Sequence, residues 1–176
     1  MSWSDRYPHR FVPPALAVGL AFGLGGCFTP LYSSVGGNLG GEMRAITVDP
    51  VPDRLGHYLR DQLITDLNGT GDRPAPHYRL QLTTSERVQT ALVDVTTQRP
   101  DSGSVVTDVK WTLLPIEGGP PLASGAVTSF ASYDRSSQRF ANIRAARDAE
   151  IRDARTLADE ITTQVAAKLG QIQPAR

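Results

Sequence analysis

Two kinds of side chain in this sequence are equipped to do chemistry: a lone cysteine, Cys27, and a run of arginines, Arg135, Arg139, Arg144 and Arg147. Between Asp134 and Asp148 that run contains no acid. Arginine presents a planar fork of donors that matches the oxygens of carboxylate and phosphate two at a time. Arg144 and Arg147 are three apart and would share one helix face. Positive charge near a helix start is mildly disfavoured by the helix dipole, which hints at a use beyond solvation. The plainer alternative is a solvated helix start with Arg144 paired to Asp148. Arg99, next to Pro100 at a strand-to-loop tip, is a further binding candidate, weighed against an ordinary loop arginine. Arg54 and Arg60 read as helix-surface residues.

Catalysis is not expected. His9 lies in the N-terminal segment, and neither His57 nor His77 stands in a metal-ligand spacing. Asp159 and Glu160 are adjacent, so on a helix they diverge and make a poor acid–base pair. No nucleophile-elbow sequence is present, and Gly118-Gly119 reads as a turn. A hydrolase would need a pocket and a cluster around His57 or His77. We therefore expect no enzyme, no catalytic residues, no metal and no cofactor. The 18 basic and 18 acidic residues balance, which argues against a general affinity for nucleic acid.

The first 26 residues read as a leader. Arg6, His9 and Arg10 give a positive start, and Phe11 to Leu24 is apolar and uncharged. That length suits a signal segment and falls short of the roughly 20 residues a spanning helix needs. Leu24-Gly25-Gly26-Cys27 follows directly and resembles a bacterial lipobox. The resemblance implies cleavage before Cys27 and acylation of its sulfur and new amino terminus, so that a covalent acyl lipid is the one attached group. One cysteine builds no disulfide framework in an exported chain, whereas a lipid anchor accounts for it. Phe28 rather than Asp follows the cysteine, which by the same resemblance implies the outer membrane, periplasmic side.

Residues 27–42, rich in Gly and Ser, read as a lipidated tether, residues 43–170 as one domain and 171–176 as a tail. A first strand is expected at Arg44 to Val48, stopped by Pro50 and Pro52. Leu55, Leu59, Leu63 and Leu67 recur every four residues, the stripe of an amphipathic helix capped by Asp53 and ended by Asn68-Gly69. Gly56 should weaken its first turn. A strand from Tyr78 continues, with a break or bulge, through Val88 to Val95, and residues 98–103 should turn. Val105, Thr107, Val109, Trp111 and Leu113 alternate with polar residues, and Trp111 reads as core. Glu117-Gly118-Gly119-Pro120 marks a hairpin, and residues 122–133 return. A second helix is expected from about Ser137 to Leu169, its stripe opened by Phe140 and Ile143 and ended by Gly170 and Pro174. The sum is an α+β two-layer sandwich, order β-α-β-β-β-α, with two helices on one face of a four-stranded mixed sheet. The other face, rich in Thr, Ser and Gln, is left for water or a partner.

Behind a lipobox, that order resembles the LPS-assembly lipoprotein (LptE) family over nearly all of the mature chain. The resemblance is carried by Cys27-Phe28-Thr29-Pro30-Leu31-Tyr32, Leu59-Arg60-Asp61-Gln62-Leu63, Ser129-Phe130-Ala131-Ser132-Tyr133, Phe140-Ala141, Ala145, Asp148-Ala149 and Leu157-Ala158-Asp159-Glu160-Ile161. It implies a non-enzymatic outer-membrane lipoprotein that helps assemble and plugs an outer-membrane β-barrel LPS-assembly protein and binds lipopolysaccharide. On that reading Arg99, Arg135, Arg139, Arg144 and Arg147 become candidates for the lipid phosphates. The chain departs from the family in having Arg99 as its only basic residue between Val88 and Val109. A basic position of some members falls here near Asn142 and Arg144. The competing expectation is an auxiliary periplasmic lipoprotein of a lipid or solute transporter.

Overall fold

The computed structural model of the chain describes residues 39–69, 74–93 and 100–172; Cys27 and Arg99 lie outside them. In chain order the elements are α1 (Leu39–Arg44), β1 (Ile46–Val48), α2 (Arg54–Asn68), β2 (Tyr78–Val93), β3 (Pro100–Pro115), β4 (Ala123–Asp134) and α3 (Arg139–Ile172). The strands lie in the order β1-β2-β3-β4. Helix α2 carries the chain from β1 to its parallel neighbour β2, with Ile46 opposite Tyr78 and Val48 opposite Leu80. The remaining pairs, β2 with β3 and β3 with β4, are antiparallel. The architecture is the expected α+β sandwich, a four-stranded mixed sheet with α2 and α3 on one face.

Period-two alternation chooses that face. Val105, Val109, Trp111 and Leu113 of β3, with Leu80 of β2 and Val127 and Ala131 of β4, are buried. The leucines of α2 (Leu55, Leu59, Leu63 and Leu67) close over them together with Leu157, Ile161, Val165 and Leu169 of α3. Each such side chain contributes roughly 1.5–3 kcal/mol on burial. Trp111 is core, as expected, and its indole N–H donates to Gln164 Oε1 at 3.0 Å, so the ring is buried without a stranded donor.

Several boundaries differ from expectation, each for a packing reason. The first strand is only Ile46–Val48, because Arg44 closes α1; residues 39–42, read as tether, are helical, and Met43 is buried. Asp53 precedes α2 and its carbonyl accepts the His57 N–H at 3.1 Å, but with a φ of 86° its side chain makes no capping bond. Gly56 is a requirement rather than a weakness: a Cβ there would stand 2.5 Å from Val51 Cγ1. β3 begins at Pro100, so Gly103 is a strand residue instead of a turn. It faces Tyr133 across the strands, and a Cβ there would meet the phenol ring at 2.8 Å; Gly125 makes the same room for the Trp111 indole, at 2.7 Å. The expected irregularity in β2 is present, as register shifts around Leu92.

Helix α3 departs furthest from expectation. It starts at Arg139 and runs through Gly170 to Ile172, and its buried stripe does not open at Phe140 and Ile143, which are 83% and 54% exposed. Ala145 and Ala146 pack partly, and full burial begins at Ala149. Helix α2 begins at Arg54, which meets α3 only at Glu150, so it has no residues to cover the turns before Ala145.

Opposite the helices, Gln81, Thr83, Ser85 and Arg87 line up with Thr112, Lys110, Asp108 and Val106, and these with Ser124, Ala126, Thr128 and Phe130. No helix among the described residues covers this face, and Phe130 stands on it 72% exposed. Thr128 Oγ1 donates to Asp108 Oδ1 at 2.6 Å, and Arg87 pairs with the other carboxylate oxygen. Those two hydrogen bonds, from Thr128 first and then Arg87, hold the Asp108 carboxyl below its ordinary range.

Candidate functional site

The arginine run begins where β4 hands over to α3. A reciprocal clamp fixes this corner: Asn142 Oδ1 accepts the Ser136 backbone N–H at 2.8 Å, and Asn142 Nδ2 donates to the Ser136 carbonyl at 2.9 Å. The Ser136 hydroxyl accepts the Gln138 N–H at 3.2 Å, so one donor at the helix entry is satisfied by a side chain. The first turn of α3 contains no acid.

The four described candidates divide into two pairs. Arg135 lies over the Tyr133 ring, 5.7 Å from its centroid, and donates to the phenol oxygen at 3.2 Å. Arg147 donates through Nε to the Tyr58 hydroxyl at 2.8 Å and covers that ring at 5.9 Å, tying α3 to α2. Arg139 and Arg144 are exposed and make no hydrogen bond or ion pair with the described residues. The alternative pairing of Arg144 with Asp148 does not form. Asp148 accepts instead from Arg152 Nε at 3.0 Å, and Arg152 also reaches the Ser132 carbonyl at 2.9 Å. One turn of helix offers Asp148 both partners, and only Arg152 can bind the strand edge as well.

At about 100° per residue, Arg139, Ile143, Arg147, Phe140 and Arg144 fall within an arc of about 140° on α3. The helix start thus presents two exposed apolar side chains, with Arg139 and Arg144 at the two edges of the arc. The opposite side carries Ala145 and Ala149, which pack inward. Beside it, Tyr58, Asp61, Gln62, Thr65, Ile151 and Arg155 line an open groove of about 210 Å³ between α2 and α3.

A second polar cluster escaped sequence reading. Arg54 is not a plain surface residue: its guanidinium forks onto Glu150, which is 4% exposed, with Nε to Oε2 at 2.7 Å. The bond to Glu150 raises the Arg54 pKa further. One turn on, buried Asp153 accepts from Thr107 Oγ1 at 2.6 Å, while its Oδ1 has no partner among the described residues. Glu86 stands opposite Thr107 across β2 and β3. Desolvation first, and the charge of Glu150 second, push its carboxyl above the ordinary range, with Arg54 opposing. The readable signal was the pair Glu150 and Asp153, three apart within an otherwise apolar stripe.

His57 pairs with Asp61 at 3.4 Å and His77 with Glu42 at 3.3 Å. Among the described residues no group of three His, Cys, Asp or Glu side chains is arranged to hold a metal ion, and no helix is long and apolar enough to cross a membrane.

Neither a protein-family model nor a curated protein sequence matches the chain. Solved structures do. A protein from Caulobacter crescentus CB15 assigned as a lipoprotein superimposes with a TM-score of 0.61 at 23% identity, over 75% of this chain and 96% of that one. Rare lipoprotein B from Shewanella oneidensis superimposes with a TM-score of 0.52 at 17% identity, over 72% of this chain and 96% of that one. The chain therefore shares its fold with bacterial lipoproteins, over almost their whole length.

Proposed function

We propose that the chain is an outer-membrane lipoprotein of the LPS-assembly type. It is acylated at Cys27, seats in the lumen of the β-barrel LPS-assembly protein, assists that barrel's assembly, plugs it and binds lipopolysaccharide. The observation that carries the ligand part of this reading is the unpaired state of Arg139 and Arg144 among the described residues, beside exposed Phe140 and Ile143. A phosphorylated lipid offers what this surface lacks, phosphate oxygens for two idle forks. The plug part is supported by the uncovered sheet face, whose Thr, Ser and Gln side chains and Arg87–Asp108 pair suit the polar interior of a wide barrel. Fold likeness to lipoproteins supports the anchor at Cys27.

The test is binding of purified LPS to the chain and to Arg139→Gln with Arg144→Gln. Each exposed charge-assisted contact is worth about 1 kcal/mol, so the double variant should bind roughly tenfold or more weakly. Arg135→Gln should lose less, because its guanidinium is already shared with Tyr133. Unchanged binding by the double variant would overturn the assignment of this surface.

A further inference from the structure

We propose that the exposed arc at the start of α3 is also a docking surface for an anionic phospholipid bilayer, with Phe140 and Ile143 seated at the boundary between headgroups and acyl chains. Phe140 is the most exposed large hydrophobic residue among the described residues, and Ile143 lies one turn along on the same arc. An isolated exposed apolar residue needs no explanation. Two on one arc, with Arg139 and Arg144 at its edges and Arg147 one turn beyond Ile143, have the composition of a helix that lies in a membrane interface, apolar side chains bordered by cations. Charge selects the surface: residues 135–147 hold four arginines and no acid, so the arc favours an anionic leaflet over a neutral one. It is also ready for use. The Ser136–Asn142 clamp holds the corner in place, and neither α2 nor the sheet gives Phe140 a buried alternative.

The inference rests on the lipoprotein reading only for proximity, since an acyl chain on Cys27 would keep the arc near a bilayer. It does not depend on LPS. It assigns the arc to the free lipoprotein on its membrane.

The test uses the chain from residue 28 onward, so that no acyl chain contributes; the described residues hold the core. Vesicles of phosphatidylcholine alone are compared with vesicles containing about one third phosphatidylglycerol. The chain should sediment with the anionic vesicles, much less with the neutral ones, and be released by high salt. Phe140→Ser with Ile143→Ser, and separately Arg139→Gln with Arg144→Gln, should each lower partitioning by roughly tenfold. Their unfolding transitions should be unchanged, which separates lost docking from lost folding. The Phe140→Trp variant should show a blue-shifted indole emission on anionic vesicles. No partitioning, equal partitioning into both compositions, indifference to either double substitution, or an emission from the Phe140→Trp variant that does not shift would overturn the proposal. Because these vesicles contain no LPS, failure here leaves the LPS reading standing, and failure of LPS binding leaves this one.

Discussion

The two ends of α3 obey different rules. From Ala149 to Leu169 the helix is built inward: Leu157, Ile161, Val165 and Leu169 are buried against α2 and the sheet. From Arg139 to Arg144 it is built outward, with Phe140 and Ile143 exposed and Arg139 and Arg144 unpaired among the described residues. Apolar spacing continues through both parts. What changes is whether a facing element exists, since α2 begins opposite Glu150 and reaches back only as far as Arg147, through Tyr58. The same kind of side chain therefore supports the fold at one end and is available to a ligand at the other.

That contrast can be broken by substitution. The largest effect belongs to the inner half. Leu157→Ala should cost about 2–5 kcal/mol, and Trp111→Ala about 3–5 kcal/mol, read from urea unfolding. A loss below about 1 kcal/mol at either site would mean that the core is not packed as described.

Next comes the junction between the halves. Arg54→Met removes the partner of buried Glu150. Breaking a fully buried pair costs about 3–5 kcal/mol, but Arg54 is mostly exposed, so about 1–3 kcal/mol is expected here. Adding Glu150→Gln should restore part of it; a double variant as unstable as the single one would show that the charge of Glu150 is not the cause.

Glu86 gives a smaller effect with a definite sign. Its pKa is raised in the folded chain, so folding favours its protonated form. That contribution is fully present below the ordinary carboxylate range and is lost as pH rises through the folded value. Glu86→Gln should therefore be more stable than the parent chain at neutral pH, and the advantage should vanish in acid. Because Glu86 keeps an exposed side, the gain is small, and a stability difference independent of pH would refute the cause given.

The smallest effect belongs to the exposed start of α3. Phe140→Ser and Ile143→Ser should each change stability by no more than about 0.5 kcal/mol, the ordinary range for surface positions. A loss of about 2 kcal/mol would place them in a core that the structure does not show.

The same contrast marks what could be read in the sequence. The Leu55–Leu67 stripe and the alternation from Val105 to Leu113 were legible because their period reports burial directly, and with them came the crossover, the mixed sheet and the two helices on one face. Phe140 and Ile143 were misassigned because a period records which residues share a face and not what faces them. Gly103 looked like turn punctuation, yet its smallness answers Tyr133 on another strand. Asp148 had an arginine one helical turn away on either side, and only the Ser132 carbonyl favours Arg152. The arginine run was legible as a whole; its division into one pair held by tyrosines and one pair without partners among the described residues needed Tyr58 and Tyr133 in place.

Recovery of the tagged chain, crosslinked, from outer membranes followed by mass spectrometry tests most directly whether it serves a β-barrel LPS-assembly protein. A stoichiometric large β-barrel that stays bound in mild detergent is expected. Recovery of an inner-membrane transporter, or of no barrel, would contradict it and favour an auxiliary lipoprotein of a lipid or solute transporter.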